Sequence, residues 1–239
     1  MPSPLRLLDV DPDLGEGLSP EAFAEARRDL IAEPLVVPRG DWNAEGTWSA
    51  VPAELGLLIV DGVLLCEVDV GKRSTLEVLG PGDVVRPWPH GRHIAEMVVS
   101  VRYTVADEMC RMVVLDGHLA RQAARWPSVL GEIIGRALGR ATSGTLRLLI
   151  HQVVRIDDRI LLSLWGLAER FGKVTAHGVL VPLPINHTMM GRLVGAQRPT
   201  VSQAVGELTR RGALERTEDG GWLLHGEFPQ DILGDGNEG

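Results

Sequence analysis

Cysteine is nearly missing from this chain. There are two in 239 residues, Cys66 and Cys110, far apart and with no CxxC or Cys/His cluster beside either. That excludes a disulfide-stapled scaffold, leaves too few thiols for a four-cysteine cluster within one chain, and fits a reducing cytoplasm. No apolar run approaches the length needed to span a bilayer, and the start, MPSPLRLLDVDPD, has no basic stretch followed by an apolar one, so neither a membrane span nor a secretory leader is expected. An excess of positive charge is missing too. The formal net charge is −8, which argues against a protein that coats nucleic acid through its overall charge. No nucleophile-and-base constellation, Walker loop or metal-ligand spacing stands out, so catalysis is not expected.

What is present is unevenly placed. Between Pro184 and Arg216 there are five arginines against two glutamates, whereas Met1 to Glu33 holds three arginines against eight acids. The basic segment contains GRLVGAQRPTVSQAVGEL, from Gly191 to Leu208. Met190, Leu193 and Val194 share one helical face, and Val201, Ala204, Val205 and Leu208 share another. Asn186 is placed to cap the first helix, Gly195 to end it in left-handed backbone, and Pro199 is tolerated only in the first turn of the second. Small Gly191 allows a close crossing. This is helix-turn-helix grammar, although an ordinary helical hairpin in a core shows the same short pattern and only context separates the two.

Context comes from the rest of the chain. The length gives room for two medium domains, each with its own core. An acidic, proline-punctuated start carries one helix over SPEAFAEARRDL, capped by Ser19 and opened by Pro20, which reads as an accessory element. Then LGLLIVDGVLLCEV, STLEVLGPGDVVRP, EMVVSVRYTVA and EMCRMVVLD run at strand spacing, punctuated by Asp61-Gly62, Gly71 and Pro81-Gly82. They predict hairpins closed into a roll or barrel from about Pro38 to Leu115. From Pro127 the period changes. Leu130, Ile133, Ile134, Ala137, Leu138, Ala141, Leu148 and Leu149 predict a helix from Ser128 to about Val154, packed against a copy of itself in a homodimer or, alternatively, within one subunit's core. Asp157 and Asp158 open a further helix that ends at Gly172, GVLVPL is a short strand, and LERT, EDGG and WLLH read as strand, turn and strand. Helix, strand, helix, turn, helix and hairpin make a winged helix-turn-helix.

In this order the chain resembles the catabolite-activator and fumarate-nitrate-reduction (Crp/Fnr) family of bacterial transcription regulators, from about Pro38 onward. The resemblance rests on LLIVDGVLL followed by VLGPGDVV, on VADEMCRMVVLDGHLARQAARWPSVLGEII as last roll strand and dimer helix, and on GRLVGAQRPTVSQAVGEL. It implies an α+β chain with a cyclic-nucleotide-binding-like β-roll over residues 1–126, a dimerisation helix over 127–156 and a winged helix-turn-helix over 157–239. Leu130, Ile134, Ala137, Leu138, Ala141 and Leu148 would form the dimer seam.

The DNA-binding residues follow from chemistry at the matched positions. Arg198 can present a fork to guanine O6 and N7, Gln203 can pair with adenine N6 and N7, and Thr200 can meet a phosphate or a thymine methyl, with Ser202 beside them and Val201 in the core. The family often has an acidic residue where this chain has Pro199, so any base contact made there is lost and the operator differs accordingly. Arg192, His187, Thr188 and the wing at Asp219–Gly221 are candidates for backbone contact. Arg210 and Arg211 sit where a helix dipole favours cations, so a structural role fits them as well as a DNA role.

The sensor chemistry departs from the family's nucleotide-binding members. Those carry a Gly-Glu pair after the Gly-Asp turn and then an Arg-Ser or Arg-Thr pair for the cyclic phosphate. Here the stretch is GDVVRPWPHGRHIAEM, with Arg86-Pro87 in place of Gly-Glu and no such arginine pair following. Cyclic AMP is therefore not expected to bind, unless Arg86 swings inward as the cation and Glu96 supplies the carboxylate. Cys66 and Cys110, in strand-like apolar settings, argue against an iron–sulfur cluster. His90 and His93 lack the further ligands of haem or another metal site, while Trp88, His90, Arg92 and His93 could instead line a pocket for an acidic or aromatic ligand. The effector stays unknown. The expectation is a cytoplasmic homodimer that reads an inverted repeat in double-stranded DNA, with RNA polymerase as a further partner and no membrane. The alternatives are a regulator with a rebuilt ligand pocket in its roll and a cupin-like enzyme, the latter lacking clustered histidines on adjacent strands.

Overall fold

In a computed structural model, residues 3–51, 53–86, 93–94 and 97–233 are described. They divide into two compact units, Met1–Thr142 and Ser143–Gly239, and the division falls inside one long helix.

The first unit begins with β1 (Leu5–Arg6), α1 (Leu7–Val10), a 3-10 turn at Pro12–Gly15 and α2 (Pro20–Asp29), whose Ser19 hydroxyl accepts from the Ala22 amide at 3.3 Å as its sequence implies. These elements are more than an accessory. Leu7, Leu8, Leu14, Ala26 and Leu30 are fully buried in one core with Leu58, Val113 and Leu115 of the sheet. The acids between the leucines face arginines: Asp9 pairs with Arg27, Asp11 with Arg136, and Asp29 with Arg125. A segment that reads as polar by composition is thus apolar on its inner side.

The roll is built from β2 (Ile31–Trp42), β3 (Gly56–Asp61), β4 (Leu64–Val70), β5 (Arg73–Leu79), β6 (Val84–Val85), β7 (His93–Ile94) and β8 (Met97–Leu115), with α3 (Ala44–Ala50) bridging β2 to β3. It starts at Ile31 rather than near Pro38, since Glu33 to Val37 already pair with β8. The two apolar segments expected before and after Asp107-Glu108 are one 19-residue strand. Its register against β2 slips between Pro38 and Gly40, so the acidic interruption is absorbed as an irregularity rather than a turn. One edge of β8 meets β2; the other meets β4 in its first half and β3 in its second, and that exchange of partners closes the roll.

Registered neighbours place Glu77, Cys66, Tyr103 and Trp42 in one row across β5, β4, β8 and β2. Cys66 and Tyr103 are buried, and Trp42 packs edge-on against Tyr103 at 5.6 Å. After α4 (Gly117–Ala123) comes α5 (Pro127–Gln152), whose Arg140 meets the Glu77 carboxylate at 2.7 Å with both groups largely buried. Burial opposes the Arg140 charge, but the bonds to Glu77 win and hold its pKa above the ordinary arginine value.

The second unit holds α6 (Ile156–Phe171), β9 (Lys173–Thr175), β10 (Gly178–Val181), α7 (His187–Val194), α8 (Arg198–Arg210), β11 (Leu214–Arg216) and β12 (Trp222–Leu224). Its strands lie in the order β11-β12-β10-β9, all antiparallel. Strand β9 is an addition to the sequence reading. Gly172 does end α6, but in extended rather than left-handed backbone.

Candidate nucleic-acid interface

Helix α7 starts where its sequence says it should. The Asn186 side-chain oxygen accepts from the Thr188 and Met189 amides at 2.9 and 3.0 Å, satisfying donors that the first turn leaves open. It ends at Gly195 in left-handed backbone, φ 68° and ψ 36°. Gly191 is needed for the turn more than for the crossing, because a Cβ there would lie 2.5 Å from the Ala196 carbonyl oxygen. The His151 Nε2–H donates to the Leu193 carbonyl at 2.8 Å and Arg159 donates to the Val194 carbonyl at 3.3 Å, so the last carbonyls of α7 are capped from outside the helix.

Helix α8 follows with Pro199 in its first turn. Val201, Val205 and Leu208 are buried and lock its inner face, which leaves Arg198, Pro199, Thr200, Ser202 and Gln203 exposed on the outer one. Its far end is held by charge. Arg211 meets the buried Asp157 of α6 at 2.6 Å, and Arg210 pairs with Glu207. Both arginines of that pair of positions are thus engaged within the unit.

Beside α8 stands the β11–β12 hairpin. Trp222 is buried and its indole N–H donates to the Ile185 carbonyl at 2.8 Å; Arg216 donates to the same carbonyl at 2.7 Å and lies over the Trp222 ring at 4.4 Å. His187 stacks on that indole at 6.1 Å, and its Nδ1 hydrogen-bonds the Ser202 hydroxyl at 2.9 Å. His187, Arg198, Arg216 and Trp222 line an open groove of about 750 Å³ between α7, α8 and the hairpin. Burial, then the Arg216 and Arg198 guanidiniums, hold His187 below the ordinary histidine value.

Residues 158–225 match the Crp-like helix-turn-helix domain. Over 212 residues, 82% of this chain and 85% of the relative, the sequence is 26% identical to the CRP-like cAMP-activated global transcriptional regulator of Mycobacterium tuberculosis. The fold is shared with FixK2 from Bradyrhizobium japonicum, with a TM-score of 0.61 at 16% identity over 85% of this chain and 96% of that one. It is shared equally with a cyclic nucleotide-binding domain containing protein from Listeria monocytogenes EGD-e, with a TM-score of 0.61 at 16% identity over 90% and 96% of the two chains. The chain carries a Crp-like helix-turn-helix domain and is similar to Crp/Fnr-type regulators.

In this Crp-like helix-turn-helix domain the expected DNA-facing residues fall into two groups. Arg198, Pro199, Thr200, Ser202 and Gln203 lie together at the start of α8, and His187 and Thr188 flank the groove, while Arg192 is half-buried on α7. Arg216 and Trp222 were missed by sequence reasoning. Their only signal is an arginine and a tryptophan on either side of the Gly220-Gly221 turn. Of the expected effector residues, Arg86 is exposed; Trp88, His90, Arg92 and Glu96 lie outside the described residues, and for His93 only the backbone, paired with Val98, is described.

The expected dimer seam divides as well. Leu130 and Ala137 pack on the first unit's own core, together with buried Val129 and Ile133. Ile134, Leu138 and Leu148 are 43%, 64% and 64% exposed, joined by exposed Leu146 and Leu149, and the Ala141 side chain lies outside the described set. Among the described residues no helix is long and apolar enough to cross a membrane.

Proposed function

We propose that this regulator binds an inverted repeat in double-stranded DNA as a cytoplasmic homodimer, acts there on RNA polymerase, and does so without cyclic AMP. The observation that carries the reading is α8. Its inner face is locked by Val201, Val205 and Leu208, and its outer face presents Arg198, Thr200 and Gln203, whose forks and hydroxyl suit base edges in a major groove. Arg192, His187, Thr188 and the wing give the duplex its register without reading it. The exposed row Ile134, Leu138, Leu148, with Ala141 between, recurs at coiled-coil spacing along α5 and supports pairing with a second copy. Twofold pairing sets two α8 helices for half-sites about one helical turn apart. The domain division in this reading is roll to residue 126, dimer helix 127–156 and DNA-binding domain 157–239.

The M. tuberculosis relative is named as cAMP-activated. In this chain Arg86-Pro87 occupies the place of the nucleotide-binding pair, and the Glu77 carboxylate already faces Arg140 in the row with Cys66 and Tyr103. An anionic cyclic phosphate entering there would have to compete with that carboxylate for the guanidinium. The same ion pair favours a second reading, in which another ligand is bound in a rebuilt roll pocket. Selecting binding sequences from a random duplex library with the purified full chain, then measuring anisotropy on the winner, tests the first reading; enrichment of no inverted repeat refutes it.

A further inference from the structure

His187 stands in the wing-side groove among groups that fix its place but not its charge. From α8 it is faced by Arg198, by the Ser202 hydroxyl at 2.9 Å and, further along the groove, by Thr209. From β11 come Arg216 and the one acid of the lining, Glu215, whose carboxylate lies 3.5 Å from His225; from β12 comes the Trp222 indole on which the imidazole stacks. Its neighbours on α7, Asn186 and Thr188, are neutral.

We propose that this groove seats one backbone phosphate of bound DNA and that His187 takes up a proton as the phosphate arrives, so that DNA affinity rises as the pH falls through the neutral range. The inference rests on the DNA-binding reading above and adds to it a ligand group and a proton.

Three observations carry it. The first is composition: Arg198, Arg216 and His187 line one open groove, with room for a phosphodiester and its sugars. The second is the state of the free site. Partial burial, then two guanidiniums, disfavour an imidazolium, so the neutral ring is favoured near pH 7 and two cationic side chains stand in the groove in place of three, beside the one acid Glu215. A phosphate seated between the arginines cancels their repulsion of a third cation and attracts it directly, so the proton that was disfavoured becomes favoured. The third is the Ser202 bond. A hydroxyl both donates and accepts, so this contact survives protonation, and the stack on Trp222 favours a cation over the ring. Proton uptake therefore needs no rearrangement.

The sign follows from linkage. If the bound state holds the proton more tightly than the free state, affinity rises with acidity between the two pKa values, by up to about tenfold per pH unit for each site. The test uses the full-length chain and a fluorescein-labelled mixed-sequence duplex of about 30 base pairs, enough for two half-sites with flanks. A phosphate contact does not depend on sequence, so no operator need be known. Dissociation constants are measured between about pH 6 and 8 at constant ionic strength for wild type, His187→Gln and His187→Lys. Wild type should tighten toward low pH by about tenfold more than His187→Gln, while His187→Lys should bind tightly with the shallow profile of the glutamine variant. Calorimetry in two buffers of different ionisation heat should show proton uptake by wild type alone. Should a variant fold poorly, the His187 ring resonances of wild type decide, since they must titrate at higher pH with duplex than without. Parallel pH profiles in wild type and His187→Gln, or an unmoved titration, overturn the inference while leaving DNA binding standing. Absence of duplex binding at every pH overturns both.

Discussion

Replacing Asp157 by asparagine is expected to loosen the reading helix without touching its DNA face. The Asp157 side chain is 9% exposed and accepts from Arg155 at 3.1 and 2.6 Å and from Arg211 at 2.6 Å, so it ties the start of α6 to the end of α8. Bonds to Arg155, opposed by burial and aided by Arg211, lower its carboxyl from 3.8 to about 2. By linkage that difference corresponds to roughly 2.5 kcal/mol. Arg155 and Arg211 are themselves 63% and 44% exposed, so solvent screens both partners and about 1–2 kcal/mol is the expected loss. Amide exchange of α6 and α8 in the full chain, resolved by peptide mass spectrometry, should then speed up by about 5–30-fold.

The pH dependence is equally specific. A depressed carboxyl contributes its full stability above 3.8 and loses it as the pH falls through 3.8 toward about 2, so wild type and Asp157→Asn should converge in strong acid. Asp158 works the other way. Burial and the neighbouring Asp157 charge raise its pKa, so its ionised form costs stability at neutral pH and acid relieves that cost. Asp157→Asn also removes the Asp157 charge that helps raise Asp158, so the difference between variants reports the Asp157 carboxylate together with that coupling. Exchange in α6 and α8 unchanged within about twofold, against the 5–30-fold expected, or a difference that persists at the lowest pH, would refute the reasoning.

Leu138→Glu places a charge in the exposed apolar row of α5 and should shift sedimentation from dimer to monomer at micromolar concentration; a wild type already monomeric there removes the premise. Arg198→Ala should cost about 1–3 kcal/mol on a selected operator and relax preference at one guanine, whereas Arg192→Ala should weaken all sequences alike and flatten the salt slope; unchanged binding by Arg198→Ala means the register of α8 is wrong. Calorimetric titration with cyclic AMP and cyclic GMP should show no micromolar binding, and micromolar binding that vanishes in Arg86→Ala would show a rebuilt nucleotide site instead.

The helix-turn-helix was legible because each of its rules acts within one turn of chain. Asn186 reaches amides two and three residues on, Gly195 needs only its own φ, and Pro199 needs only to stand in a first turn. The roll was legible in kind but not in extent. Strand β2 carries Pro34 and Pro38 and has no regular alternation, so nothing local marks its start; Ile31 and Ala32 pair with β1, and from Glu33 the strand pairs with β8, some seventy positions away. The acidic start misled for a related reason. It was read as an accessory element, and the partners of Asp29 and Asp11 lie far along the chain, Arg125 in the turn before α5 and Arg136 on α5, with Asp11 and Arg136 separated by 125 positions.

The same limit decides which parts of the interface were seen. Arg198, Thr200 and Gln203 stand within the first turns of one helix, and its buried face of Val201, Val205 and Leu208 follows from a period of 3.6 residues. His187, Ser202, Arg216 and Trp222 come from four elements and meet only because β12 pairs with β10 and so places Trp222 opposite Val181, close to the Ile185 carbonyl that receives both Trp222 and Arg216. His187 was read as a backbone contact, and Ser202 as a DNA-binding residue beside Arg198, Thr200 and Gln203. Their hydrogen bond of 2.9 Å engages the Ser202 hydroxyl with His187, so in the proposed reading Thr200 and Gln203 are the side chains left for the bases. Ser202→Ala should accordingly leave base preference intact and change affinity on all sequences alike, and a changed preference at any single base pair would put Ser202 back among the readers.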